Sequence, residues 1–577
     1  MVAEVGVNDN SVAAAPKVGR RLNDPMVIVW VCVAVILVAL VANPLGRLLY
    51  DSFQAPGSGG WTLANFASAF GRPRNIQAFI NTLQMASAVA IIAVLMGVPL
   101  AWMVSRTDMP LRGFMHINVL AAFIIPPFLG AIGWILLAGP NAGWLNRAWT
   151  FATGAEAGPF NVFSFWGLSF VIAIYVYPLV YIFTSSALDL ISSEMEEAAA
   201  IHGAGTLKTT MLVTLPLALP AILGAVIIVF LEAMALYGTP ALIAIPARFN
   251  VVATQLGVFF EHPLRVEVAA AYSLPLVGIT IVLLILQRVM LARRGYVAVS
   301  GKGGERRRVR LGHWRWPLLA YACLISAVSV ILPLIVLVQT SFARAWGQGL
   351  AWNNLTLENF NHILFEQMTV RQSIWNTFNY SALTATACCL LGLAIAYIVQ
   401  RRLLPGGAIL TGLTMAPFAV PGIVLAICFY AAYAGPPFQL YGTGMLIVIA
   451  FITRFLPIAF ATSSSGVRGL HPELEEAVRI LGGGRFTVVT KVVLPLLKKT
   501  LLGAWILVFI ICTRELSTAI FLSGPESRVI SVLTLDLSEQ GRYEILAAMG
   551  VVLLLVTTIV VGIGMKLLGR DFMLRRA

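Results

Sequence analysis

Charge is what this sequence is short of. Only 11% of its 577 residues are Asp, Glu, Lys or Arg, where soluble domains carry about 25%. With 59% of positions hydrophobic and a mean hydropathy of +0.88, the chain cannot be an ordinary soluble globule and reads as a polytopic membrane protein. Cysteine is sparse as well. Cys32, Cys323, Cys388, Cys389, Cys428 and Cys512 all lie in apolar stretches, without the paired spacing of a disulfide frame or a zinc site, and read as small core hydrophobes. His116, His202, His262, His313, His362 and His471 are dispersed near loops, so no metal site is expected, and neither a nucleophilic triad nor a paired-carboxylate cleft can be assembled. A phosphate-binding loop is missing too. The nearest approach, Gly203-Ala204-Gly205-Thr206-Leu207-Lys208-Thr209, has Leu207 where glycine must precede the lysine. These absences exclude an enzyme with its own ATPase centre and predict that the chain binds no cofactor.

What is present is apolar length. A spanning helix needs about 20 largely apolar residues, because the hydrocarbon core is about 30 Å thick and offers the backbone no hydrogen-bond partner. Runs of this kind lie near 26–49, 79–104, 117–138, 162–187, 217–243 and 269–291, then near 317–340, 377–400, 408–433, 441–464, 498–522 and 544–568. The expected fold is therefore an all-α polytopic membrane protein of about 12 spans in two homologous six-helix units. Its parts are an N-terminal tail 1–25, a first unit 26–291, a linker 292–316 and a second unit 317–577. No small-residue cleavage site follows the first run, which reads as a retained span rather than a signal peptide. Gly238-Thr239-Pro240 is expected to bend or break the fifth span.

The two units align. Asn81-Thr82-Leu83 returns as Asn376-Thr377-Phe378, Pro110 as Pro405 and Pro126 as Pro421. Pro126-Pro127, Gly130 and Gly133, with Pro417, Pro421 and Gly422, place helix-breaking or close-packing residues in the third span of each unit. An even number of spans per unit gives both the same orientation. Lys and Arg resist translocation, and the clusters Lys17, Arg20, Arg21; Arg106, Arg112; Arg293 to Arg315; Arg401, Arg402; and Arg570, Arg575, Arg576 put both termini and the linker in the cytoplasm. The formal net charge of +14 thus sets topology and touches anionic lipid heads; it does not indicate nucleic acid.

Two polar intervals, 188–216 and 465–497, then fall on that same side. Glu197-Ala198-Ala199, Gly203, Val213 and Leu215-Pro216 reappear as Glu476-Ala477-Val478, Gly482, Val492 and Leu494-Pro495. Acidic residues precede a small-residue helical stretch, as the positive end of a helix dipole favours, and glycine turns the chain into a second helix. Small side chains on an exposed helix admit another backbone closely. One such loop could equally lie on the bilayer surface as a cap; two in register favour a docking surface.

This double pattern resembles the EAA loop of binding-protein-dependent ABC importer permeases of type I in their fused twelve-helix form, and the chain is similar to those for ferric iron, with thiamine, phosphonate and polyamine permeases as close relatives. The resemblance implies that Glu197, Ala198, Ala199, Gly203 and Pro216, with Glu476, Ala477, Gly482 and Pro495, couple to two copies of an ATPase subunit that uses ATP and magnesium. It further implies a periplasmic solute-binding protein and a place in the bacterial inner membrane. Val478 for the second alanine is a mild departure.

A charge at mid-bilayer costs on the order of 2.5–3.5 kcal/mol and therefore marks either a water-filled path or an internal ion pair. Glu232, Arg454, Arg514 and Glu515 are such charges, and with Tyr237 they are the candidates for the path or its gate. The alternative is that Arg514 pairs with Glu515 or Glu232 to orient helices, or that Arg454 reaches toward headgroups. A secondary transporter driven by an ion gradient would also use membrane carboxylates, but gives no reason for two matched docking loops.

Overall fold

The computed structural model describes residues 25–55, 60–191, 193–261, 263–293, 308–349 and 351–568. Most of the N-terminal tail, the middle of the linker and the last basic cluster lie outside them. The spans of the first half are α1 (Val27–Ser52), α2 (Pro73–Arg106), the pair α3 (Arg112–Ile124) and α4 (Pro127–Ala138), α5 (Phe165–Leu190), and then, beyond a short helix α6 (Ser193–Ile201), α7 (Thr206–Ala235). A short α8 (Val252–Phe260) and the sixth span α9 (Val266–Arg293) complete it. The second half repeats the order as α10 (Gly312–Ser341), α11 (Met368–Gln400), α12 (Gly407–Met415) with α13 (Gly422–Tyr433), α14 (Gly444–Arg468), α15 (Glu473–Ile480), α16 (Arg485–Thr513), α17 (Ile530–Glu539) and α18 (Tyr543–Leu568).

The third span of each half is not one helix: α3 meets α4 at 100°, and the segment Gly407–Ala419 meets α13 at 114°. Proline is the cause. Ile125 and Val420 each precede a proline that crowds them out of the helical region, both are extended, and a fresh helix starts two residues on. Each bent pair still crosses. Gly97 of α2 packs on Val180 and Tyr177 of α5, and Arg106 at the end of α2 donates to the carbonyls of Leu188 and Ile191 at the end of α5, so these two helices run parallel. The chain between them must therefore return to the far side, where Val162 N donates to Ala138 O at 3.0 Å. Gly392 against Ala459, and Arg401 against Leu470, repeat this relation for α11 and α14. Among the described residues, ten unbroken spans plus two broken ones thus place both polar loops on one side.

The sixfold units interleave. Thr453 of α14 donates to Leu40 O of α1 at 3.2 Å, and the hydroxyl of Tyr433 bonds Ala39 O, so the first span of the first half lies on the second. Reciprocally, Tyr321 of α10 bonds Leu95 O of α2, and Gly133 of α4 leaves room for Pro333. Four prolines that open or interrupt spans, Pro44, Pro216, Pro333 and Pro495, each follow a single π turn, which absorbs the missing N–H without ending the helix. On the far side Asn65 and Asn359 each donate to two backbone carbonyls, Ser52 and Gln54 in one half and Ser341 and Ala343 in the other, pinning the loop after each first span.

Candidate functional site: two docking loops and the cavity between the halves

The polar loops have one geometry built twice. α6 and α15 carry Glu194 and Glu196, and Glu473, Glu475 and Glu476, in their first turns, where the exposed N–H groups favour negative charge. Gly203 (φ +79°) and Gly482 (φ +82°) end them in the left-handed conformation that only glycine adopts without strain. The next helix begins at Thr206 or Arg485 and runs without a break, through a π turn and past Pro216 or Pro495, into the membrane. Expected spans near 217–243 and 498–522 are thereby shifted: each starts about three turns earlier, and the first ends at Ala235, before the Gly238–Ile243 helix.

Glu197, Ala198, Glu476 and Ala477 face solvent, as do Gly203 and Gly482, while Ala199 is half-buried. Around them stand apolar residues without cover: Ile201 and Ile480, each 85% exposed, Met195 and Leu474, Leu207 and Phe486. An apolar patch on the water side marks a surface made for a partner. Beneath it is a feature the sequence reading passed over. The residue before each exposed glutamate turns inward: Glu196 meets Arg106 at 3.4 Å and accepts from Thr214, while Glu475 meets Arg401 at 2.7 Å and accepts from Tyr397 at 2.8 Å. Each arginine also holds a carbonyl at the end of the span before its loop. A comparison of the repeats for charge, Arg106 with Arg401 and Glu196 with Glu475, carried this signal.

The intramembrane charges converge. Glu232, Arg454, Arg514 and Glu515 line one cavity of ≈ 270 Å³ between the halves, with Tyr175, Phe128 and Ser517. Glu515, 9% exposed, pairs with Arg454 at 3.1 Å and accepts from Thr518 N at 2.9 Å. Its partner is thus Arg454 and not Arg514, the pairing considered from sequence. Arg454 faces the interior, where the missing Cβ of Gly422 gives its guanidinium room. Arg514 donates to Phe123 O and lies 4.9 Å from that ring's centre, with Glu232 on the same cavity wall. Tyr237 is set apart: its ring packs edge-on against Phe521, and its N–H donates to Ser517 Oγ. The hydroxyls of Tyr175 and Thr239, on residues lining the cavity, find no partner among the described residues. Charged and hydroxyl groups at the seam of two membrane halves can pass a polar solute from one to the next while the apolar exterior faces lipid.

Fold and site together define a polytopic membrane component with paired, exposed polar loops on one side. Residues 88–296 and 390–573 each match the binding-protein-dependent transport system inner membrane component family, and the chain belongs to that family. It is 27% identical over 491 residues to the ferric transport system permease protein FbpB of Actinobacillus pleuropneumoniae, covering 83% of this chain and 69% of the relative. It is 23% identical over 524 residues to an Fe(3+)-transport system permease protein of Haemophilus influenzae, covering 89% and 93%. A solved bacterial ABC transporter for alginate import aligns with 48% of this chain and all of its own at a TM-score of 0.41 and 17% identity.

Proposed function

We propose that this permease imports ferric iron, driven by two copies of an ATPase subunit docked on α6 and α15 from the cytoplasm and supplied by a solute-binding protein on the far face. ATP is hydrolysed, with magnesium as cofactor, in the ATPase pair; this chain provides the path. The observation that carries the reading is the duplicated docking geometry, with an exposed carboxylate and apolar patch on each loop and a buried ion pair fixing each loop from below. Each loop also feeds a lever. α7 is one helix of 30 residues from Thr206 and α16 one of 29 from Arg485, each about 45 Å long, and their inner ends carry Glu232 and lead directly to Arg514-Glu515. Closure of the ATPase pair would draw the loops together and swing those ends apart at the cavity. The names of the relatives support iron as cargo.

The test is uptake of radiolabelled ferric iron into vesicles bearing the permease, its ATPase and its binding protein. ATP-dependent uptake is expected, and Glu197→Arg with Glu476→Arg should abolish it by loss of ATPase co-purification. Uptake of thiamine, phosphonate or polyamine in place of iron would reassign the cargo. Transport by the isolated chain under a proton gradient without ATP would favour the secondary-transporter reading instead.

A further inference from the structure

A groove opens at one seam between the halves. There α9 of the first half faces α12 and α14 of the second across a volume of ≈ 1370 Å³, lined by Ile285, Met415, Phe418, Pro457 and Ala461 among others. Elsewhere Ile506, Ile510 and Val561 of the second half pack with Trp505 and Met565 of the same half and meet Ile124 of the first. The open groove has two charged residues on its wall, Arg288 and Arg402, and no carboxylate. Neither arginine makes an ion pair among the described residues, and both are exposed. In the other half these positions are Met565 and Thr107, so the charge belongs to this groove and not to the repeated scaffold.

Arg402 is held at φ +47°, in the left-handed region that costs a non-glycine residue roughly 1–2 kcal/mol, at the turn closing α11. Glycine would suit that turn better, so the side chain is what is retained. A groove of this size would hold about 45 waters at about 30 Å³ each, against walls that offer them little to bond, at the depth of the spanning helices. Acyl chains fit that lining, and basic pockets between spans on the cytoplasmic side suit an anionic headgroup.

We infer that this groove is a binding site for one anionic phospholipid, its chains against α9, α12 and α14 and its phosphate between Arg288 and Arg402. The placement in the cytoplasmic leaflet rests on the orientation proposed above. Because its walls come from both halves, the lipid spans a seam that must shift when the halves tilt.

The complete permease, purified with its ATPase and exchanged into discs of phosphatidylglycerol or phosphatidylcholine, can be assayed for retained lipid by native mass spectrometry. Wild-type protein should retain phosphatidylglycerol in preference to phosphatidylcholine. Arg288→Ala with Arg402→Ala should weaken that retention about 30-fold, each arginine near an anionic surface being worth about fivefold, and the double lysine variant should keep it. Gly412→Phe retains both arginines but fills open space beside the groove wall, where an added Cβ meets nothing within 4 Å, and should also lose the lipid. Equal retention of both lipids by wild type, unchanged retention in the double alanine variant, or undiminished retention in Gly412→Phe would each overturn the inference. Failure of the ATPase to associate with wild-type permease that still retains the lipid would count against the proposed function alone.

Discussion

The water-facing loops and the membrane interior obey opposite rules. At the loops the halves are copies: Arg106–Glu196 answers Arg401–Glu475, Gly203 answers Gly482, and Ile201 and Ile480 are exposed to the same degree. At the cavity they diverge. Arg454 stands where the first half has Tyr175, Arg514 where it has Ala235, Glu515 where it has Leu236, and Glu232 where the second half has Ile511. On the function proposed above, two loops that receive two copies of one ATPase subunit must match, because each meets the same partner. A single path has one interior, so its polar groups can come from either side.

The largest effect should follow from breaking the loop anchors. Removing one partner of a buried ion pair leaves a charge without compensation and costs about 3–5 kcal/mol. Arg401→Ala should therefore uncouple ATP hydrolysis from uptake and detach the second loop, measured as loss of transport with raised protease sensitivity at 470–484. Glu475→Ala should do more harm than Glu196→Ala, since Glu475 is the more buried and the more closely paired. Equal effects would mean that the halves load symmetrically despite that difference.

Next comes the interior. Glu515→Gln keeps shape but removes the charge facing Arg454, and transport should fall at least tenfold while ATPase assembly stays intact; a parallel loss of assembly would make the pair a structural brace. Tyr175→Phe, at the position matching Arg454, deletes only a hydroxyl that has no partner among the described residues and should leave assembly normal and transport within about threefold, which uptake rates would check.

The smallest effect tests the copies once more. Gly203→Ala and Gly482→Ala meet no atom, so each should cost only the left-handed strain of about 1–2 kcal/mol. Thermal unfolding of the two variants should shift alike; a difference would show that the loops carry unequal strain.

Much of this was legible in the chain. Apolar length gave the crossings, Pro126-Pro127 and Pro421-Gly422 stood out as helix-breaking or close-packing points where the third spans prove to bend, and the repeat of Glu197 and Gly203 as Glu476 and Gly482 located the paired polar loops. The interleaved first spans were not, because contacts such as those of α1 with α14 join uniformly apolar faces that carry no sequence address. Nor were the anchors, since Arg106 and Arg401 also satisfy the topology rule and nothing local distinguishes a charge that sets orientation from one that holds a glutamate.

The sequence by itself determined that the chain is a membrane protein, that it is a doubled unit, and that two polar loops share one side: each follows from composition, periodicity and parity, which accumulate over many residues. Only the tertiary structure decided that Arg454 reaches Glu515 from 61 positions away, that Arg514 turns to a backbone carbonyl, and that a groove opens at one seam between the halves. An ion pair or a hydrogen bond acts over about 3 Å, and which groups come that close is set by how helices cross, not by their order along the chain.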